Sequence, residues 1–261
     1  MKKNCLLCFL LFFSCHSALA GESLDSLLNV LDKTIKEADT YVQIKENKLH
    51  ELKKEARKTP PFSVERYNLN NDIYLEYKAY SSDSALHYLN ENMLLARQLN
   101  DKERELKIQL ELSYLLSSIG MYMEAADILN SIDRQTLPSS LLGHYYTCYE
   151  HVYFEAGAAQ PRYKMFASRY AKLSHAYRDS MQITLDPSSA TYLWLRETQL
   201  REAGKYDEAL EFSDRRLAES SFGTPQYALV AYQRFRLFES MGKKDEHLYY
   251  LVLSAISDVR S

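Results

Sequence analysis

The sequence predicts an all-α fold: about five helical hairpins stacked into a solenoid, preceded by a long N-terminal helix. Three observations point there. Only 7 glycines and 6 prolines interrupt 261 residues, so long stretches run without a helix breaker. No run alternates apolar and polar residues with period two, as a half-buried strand would. Apolar side chains recur instead at three- and four-residue steps, and at 46% of the chain they suffice for a core, which in stacked hairpins is one seam continued from pair to pair.

The chain opens with Met1-Lys2-Lys3, an apolar run over residues 5–13, and a small-residue tail ending Ser17-Ala18-Leu19-Ala20. These are the three parts of a secretory signal peptide, with Ala18 and Ala20 at the −3 and −1 positions. Residues 1–20 are therefore expected to be cleaved and the mature chain to be periplasmic. The run is shorter than the roughly 20 apolar residues of a membrane span and is broken by His16. Lipid attachment at Cys15 is the alternative, although Phe12 and Phe13 make a poor lipobox. Cleavage removes Cys5, Cys8 and Cys15 and leaves Cys148 alone, so the mature chain can form no internal disulfide. Without Lys2 and Lys3, 30 basic face 35 acidic residues, a formal charge of −5, and no basic stripe suits nucleic acid.

Residues 21–59 carry a heptad stripe: Leu24, Leu28, Leu31, Ile35, Ala38, Val42, then Leu49, Leu52 and Ala56. It reads as one long helix, stopped by Thr59-Pro60-Pro61 because the residue before a proline is pushed out of the helical region. The stripe either caps the first hairpin or forms a dimerising coil, which leaves a homodimer open. Residues 60–261 form the repeat array. Residues 62–80 and 84–99 make the first hairpin, with Tyr67, Ile73, Leu75, Leu89 and Met93 on the seam. Asp101 caps the next helix, whose stripe of Leu106, Leu110 and Leu115 runs to Gly120 and is answered by Ala125 and Leu129. Pro138, Pro187 and Pro225 each precede a further pair.

The turns carry the repeat. Gly204-Lys205-Tyr206-Asp207-Glu208-Ala209 joins two apolar-periodic stretches, and Gly120-Met121-Tyr122-Met123-Glu124-Ala125 nearly copies it. Glycine releases the first helix in a left-handed cap, the tyrosine packs between the helices, and alanine lets them approach. Gly242-Lys243-Lys244-Asp245-Glu246-His247 is a degraded copy, and Ser81 to Ala85 another. The alanine-equivalent positions 85, 125, 209 and 247 are 40, 84 and 38 apart. The middle gap holds two repeats of 42, so a cryptic repeat is expected over residues 145–156 and 163–181. The string G-x-Y-x-E-A resembles the turn of the tetratricopeptide repeat (TPR), whose period is about 34 residues.

That resemblance implies that the first helices of the repeats line a groove for a peptide or protein segment. Counting back from each turn, the groove would carry Lys107 and Tyr114, then His144 and His151, then Trp194, Thr198 and Arg201. His144, Cys148 and His151 also share one helical face, but zinc would want a fourth ligand and none stands at helical spacing. No metal or cofactor is expected. The 21 tyrosines raise glycan stacking as an alternative to ordinary packing, and a metal- or glycan-binding module stays open as the third reading. No nucleophile elbow, zincin helix, phosphate loop or dinucleotide fingerprint occurs, so the chain reads as non-enzymatic.

In layout, residues 1–261 resemble the extracytoplasmic TPR-like N-terminal region of Bacteroidetes-type membrane-bound transcriptional regulators, most closely over residues 249–259. The resemblance implies a periplasmic sensor continued by a transmembrane helix soon after residue 261, with no nucleic-acid contact through this segment. A freestanding periplasmic scaffold or assembly protein is the alternative. The closing helix lacks a polar cap, so it either docks on something or belongs to a longer chain.

Overall fold

The computed structural model describes residues 23–261, and the leader expected at residues 1–20 lies outside them. Every regular element among the described residues is an α-helix. Helices α1 (Leu24–Lys36) and α2 (Ala38–Lys58) come first. Five consecutive pairs follow, the first two being α3 (Val64–Tyr77) with α4 (Ser82–Gln98) and α5 (Lys102–Ser118) with α6 (Tyr122–Ser131). The others are α7 (Ser139–Ala158) with α8 (Lys164–Thr184), α9 (Ala190–Glu202) with α10 (Tyr206–Ala218), and α11 (Pro225–Ser240) with α12 (Lys244–Arg260). The array expected over residues 60–261 falls into two compact units. One spans residues 42–202; the other joins residues 203–261 to the described residues up to 41.

Short-range chemistry sets the helix ends. The side chains of Ser63, Asp101 and Thr224 accept from the backbone N–H three residues on, satisfying donors that the first turn leaves free. At the other end Gly120 and Gly242 take φ of 88° and 71°, and the following N–H groups of Met121 and Lys243 reach back to the carbonyls of Leu116 and Phe238. This is the left-handed stop that the turn motif predicts. Gly204 is likewise left-handed at φ 72°, and Asn100 supplies the same turn between α4 and α5 at φ 52°. Tyr122 and Tyr206 are the half-buried first residues of α6 and α10.

The second helix of every pair starts alike. The N–H of Ala85, Ala125, Ala167, Ala209 and His247 each donates to the carbonyl four residues earlier, at 2.9 to 3.0 Å. The cryptic repeat is thus centred on Ala167, 42 residues from both Ala125 and Ala209. Ala85, Ala125 and Ala209 are completely buried. In the α7–α8 pair the close approach falls on Gly157, where a Cβ would stand 3.3 Å from the Tyr170 Cβ. In the last pair His247 packs on the Phe235 ring, with centroids 4.5 Å apart.

The heptad stripe of residues 21–59 differs from its expected form, because it lies on two helices rather than one. Glu37 ends α1, its N–H shared among the carbonyls of Lys33, Thr34 and Ile35, and Thr40 closes a tight turn onto the Glu37 carbonyl. The two halves serve different cores. Leu49 and Ala56 of α2 pack with Ile73, Tyr74, Ala85 and Leu89. Leu27 of α1 instead packs with Tyr227, Ala231, Val252, Leu253 and Ile256 of the last pair. Between the two halves Ile35 and Val42 are exposed, as is Leu75, which was expected on the first seam. The apolar face of α12 is therefore covered by α1, and the N-terminal part of the stripe is occupied within its own chain.

Truncating Leu27 or Ile256 to alanine should cost about 2 to 5 kcal/mol, since both are almost wholly buried in this contact. Urea unfolding checks the magnitude. Amide exchange should quicken in α12 and stay unchanged in α5.

Candidate functional site

The first helices α3, α5 and α7 converge on one polar cluster. Residues three and four apart share a helix face, which puts Tyr74 and Lys78 in line at the end of α3. It does the same for Lys107, Glu111, Tyr114 and Ser118 on α5, and for His144, Cys148 and His151 on α7. Glu111 is the hub. Its Oε2 accepts from the Tyr74 hydroxyl at 2.6 Å and from Lys78 Nζ at 2.9 Å, while its Oε1 stands 3.6 Å from His144 Nε2. Lys78 Nζ also lies 4.7 Å from the centre of the Tyr114 ring, a cation–π contact. Tyr114 stacks on His151 with centroids 4.0 Å apart and planes 10° from parallel, and His151 Nε2 shares a hydrogen bond of 2.9 Å with Ser118 Oγ.

Burial would raise the Glu111 carboxyl, but Lys78 and the hydrogen bonds from Tyr74 and Lys78, joined by His144 when it is protonated, outweigh it and hold the group below its ordinary value. Burial pulls His144 down, against the attraction of Glu111. His151 is pulled down to about 4 by burial, with Lys78 adding to the effect. At neutral pH both imidazoles are uncharged and Lys78 alone balances Glu111. Burial likewise pushes the Tyr114 hydroxyl up to about 12. The result is a carboxylate and an ammonium, both partly open to solvent, framed by neutral aromatic rings.

Of the seven groove residues expected, Tyr114, His144 and His151 meet in this cluster, and Lys107 is exposed one turn before Glu111. The α9 residues do not join it. Trp194 packs with the core around Leu195 and Met181, Thr198 is buried and Arg201 half-buried. Tyr74, Lys78 and Glu111 were missed by sequence reading. The four- and three-residue steps from Lys107 to Glu111 to Tyr114 were the available signal for Glu111, but the apolar stripe of α5 drew attention to its other face.

The residues that suggested a metal or a sugar have other partners. Cys148 is fully buried and its thiol faces the Leu110 carbonyl at 3.4 Å. Among the described residues, no group of three or more His, Cys, Asp or Glu is placed to hold a metal ion. The rings of Tyr149 and Tyr177 stack 4.6 Å apart, and Tyr153 stacks on both. Their faces are thereby used on one another. Behind them the buried Arg178 donates to buried Glu150 at 2.8 Å and to the more exposed Glu202 at 2.9 Å, which ties α7, α8 and α9 together.

The depressed histidine makes stability pH-dependent. An unfolded His151 takes up a proton below about pH 6.5, whereas the folded one resists until about 4, so stability falls as pH drops through that window. His144 acts in the same direction. The loss through His151 should be on the order of 2 to 3 kcal/mol. Urea midpoints measured from pH 7 to pH 4 should fall steeply in the native chain and more shallowly in His151→Gln.

The profile of the SusR N-terminal TPR domain matches residues 35–261, which takes in the polar cluster and all five helix pairs. No curated protein matches the chain. TPR domains are in general protein-interaction folds. Repeat count, turn chemistry and the matched profile agree, and the chain belongs to the SusR N-terminal TPR domain family.

Proposed function

We propose that this chain is a non-enzymatic sensor module of a membrane-bound regulator. In this reading the module lies outside the cytoplasm and reads a peptide or protein segment on the face made by α3, α5 and α7. The observation that carries the binding reading is the Lys78–Glu111 pair, set at 2.9 Å among Tyr74, Tyr114, His144 and His151. A peptide presents amides, carboxylates and ammonium groups, and recognition needs a few fixed polar partners on a largely apolar floor. Lys78 and Lys107 suit an acidic or C-terminal carboxylate, and the rings suit an apolar side chain beside it. The leader-like residues 1–20 support export. Among the described residues no helix is long and apolar enough to cross a membrane.

Two measurements test the two halves of the reading. A fusion of residues 1–261 to a phosphatase active only outside the cytoplasm should be active, and deleting residues 1–20 should silence it. Activity without the leader, or none with it, overturns the location. Peptides selected from a random library on the immobilised chain should lose about tenfold or more in affinity with Lys78→Ala, the usual cost of one charged hydrogen bond. They should be indifferent to Lys54→Ala on α2. Equal affinity for both variants overturns the binding face.

A further inference from the structure

The start of α8 is built unlike the rest of the surface. Elsewhere several exposed lysines and arginines neutralise an acid one turn away on the same helix: Lys54 with Glu51, Lys58 with Glu55, Lys102 with Glu105, Lys205 with Glu208 and Arg236 with Glu239. Residues 156–178 hold no aspartate or glutamate at all. In that interval Arg162, Lys164, Arg169 and Lys172 are all exposed, and none forms an ion pair among the described residues. A chain with a net charge of −3 thus concentrates four unneutralised cations on one tip.

Apolar side chains share the tip. Tyr163, Met165 and Phe166 are 63%, 73% and 43% exposed, although solvent normally meets large apolar groups singly. Met165, Ser168, Arg169, Lys172 and Leu173 line an open depression of about 460 Å³. Cations surrounding exposed aromatic and thioether groups on a helix end form the pattern of a segment lying in a lipid interface. There the rings enter the headgroup layer and the cations meet anionic headgroups.

We infer that the α7–α8 tip is a membrane-contact surface that binds anionic phospholipid, with Arg162, Lys164, Arg169 and Lys172 on headgroup phosphates and Tyr163, Met165 and Phe166 inserted. An acidic protein would satisfy the charges equally well. It would leave Met165 and Phe166 without a shaped partner, however, because the depression is open, whereas a fluid interface needs no matching shape. The inference is independent of the peptide-binding face.

The test is sedimentation of residues 21–261 with vesicles of phosphatidylcholine alone or mixed with phosphatidylglycerol. Binding should require phosphatidylglycerol and weaken as salt is added. Each cation near an anionic surface is worth about fivefold in partitioning, so Arg169→Glu with Lys172→Glu should lose at least about 25-fold. Met165→Ser with Phe166→Ser should weaken binding while leaving its salt dependence, and Lys54→Glu with Lys58→Glu should change nothing. All these side chains are exposed, and circular dichroism should report unchanged helix. Equal sedimentation with neutral vesicles, no sedimentation with either kind, or full binding by the Arg169/Lys172 variant overturns the inference. So does self-association of the native chain in solution that the same variant abolishes, which would make the tip a contact between copies.

Discussion

Close approach of two helices at one small residue is the constraint on which the first three pairs depend. At the start of α4 and α6 the contact falls on a methyl group, and Ala85 and Ala125 are lost from solvent altogether. The α7–α8 pair meets the same constraint from the opposite side, through Gly157 against Tyr170. Once the backbones are this close, the serine on one helix can bond the other: Ser113 Oγ donates to the Ala125 carbonyl at 2.9 Å, fully buried. Packing and hydrogen bonding thus reinforce one geometry, and the repeat period follows from where these positions fall.

The polar cluster rests on that geometry. Placing Glu111 and Lys78 in a partly desolvated setting costs hydration, which only good partners offset. The two phenol rings and two imidazoles supply these without adding charge, since burial keeps His144 and His151 neutral. Carboxylate and ammonium therefore face each other with little competition from neighbouring ions. Such a pair is held in position by its neighbours. The Glu150–Arg178–Glu202 pairing is the contrasting case: Glu150 and Arg178 are far more deeply buried, and what it offers is cohesion among three helices.

Much of this was legible from residues alone because the information is local. Turn glycines, capping side chains and apolar steps are properties of short windows, and they gave helix pairs at the right places, including the cryptic one. What could not be read was which distant surfaces meet. The stripe from Leu24 to Ala56 has one continuous period, yet nothing in the period says that Leu27 belongs with Ile256 while Leu49 belongs with Ile73. The groove residues show the same division. Tyr114, His144 and His151 follow from counting back along helices. Lys78 closes α3 after its apolar residues have ended, and its role depends on a partner 33 residues away. Trp194 and Thr198 share a helix face by spacing, but long-range packing leaves Trp194 half-buried against the core and Thr198 buried.

The contact between α1 and α12 has a consequence for how the chain assembles. Pairs such as α3–α4 close over a few residues, whereas Arg260 reaches Thr34 across 226. Loop-closure entropy grows with the logarithm of length, at about 0.6 kcal/mol per doubling, so this junction gains least from early formation. It is then the natural last step of assembly. A pull applied near either terminus would act on this clasp before it reached the interior pairs.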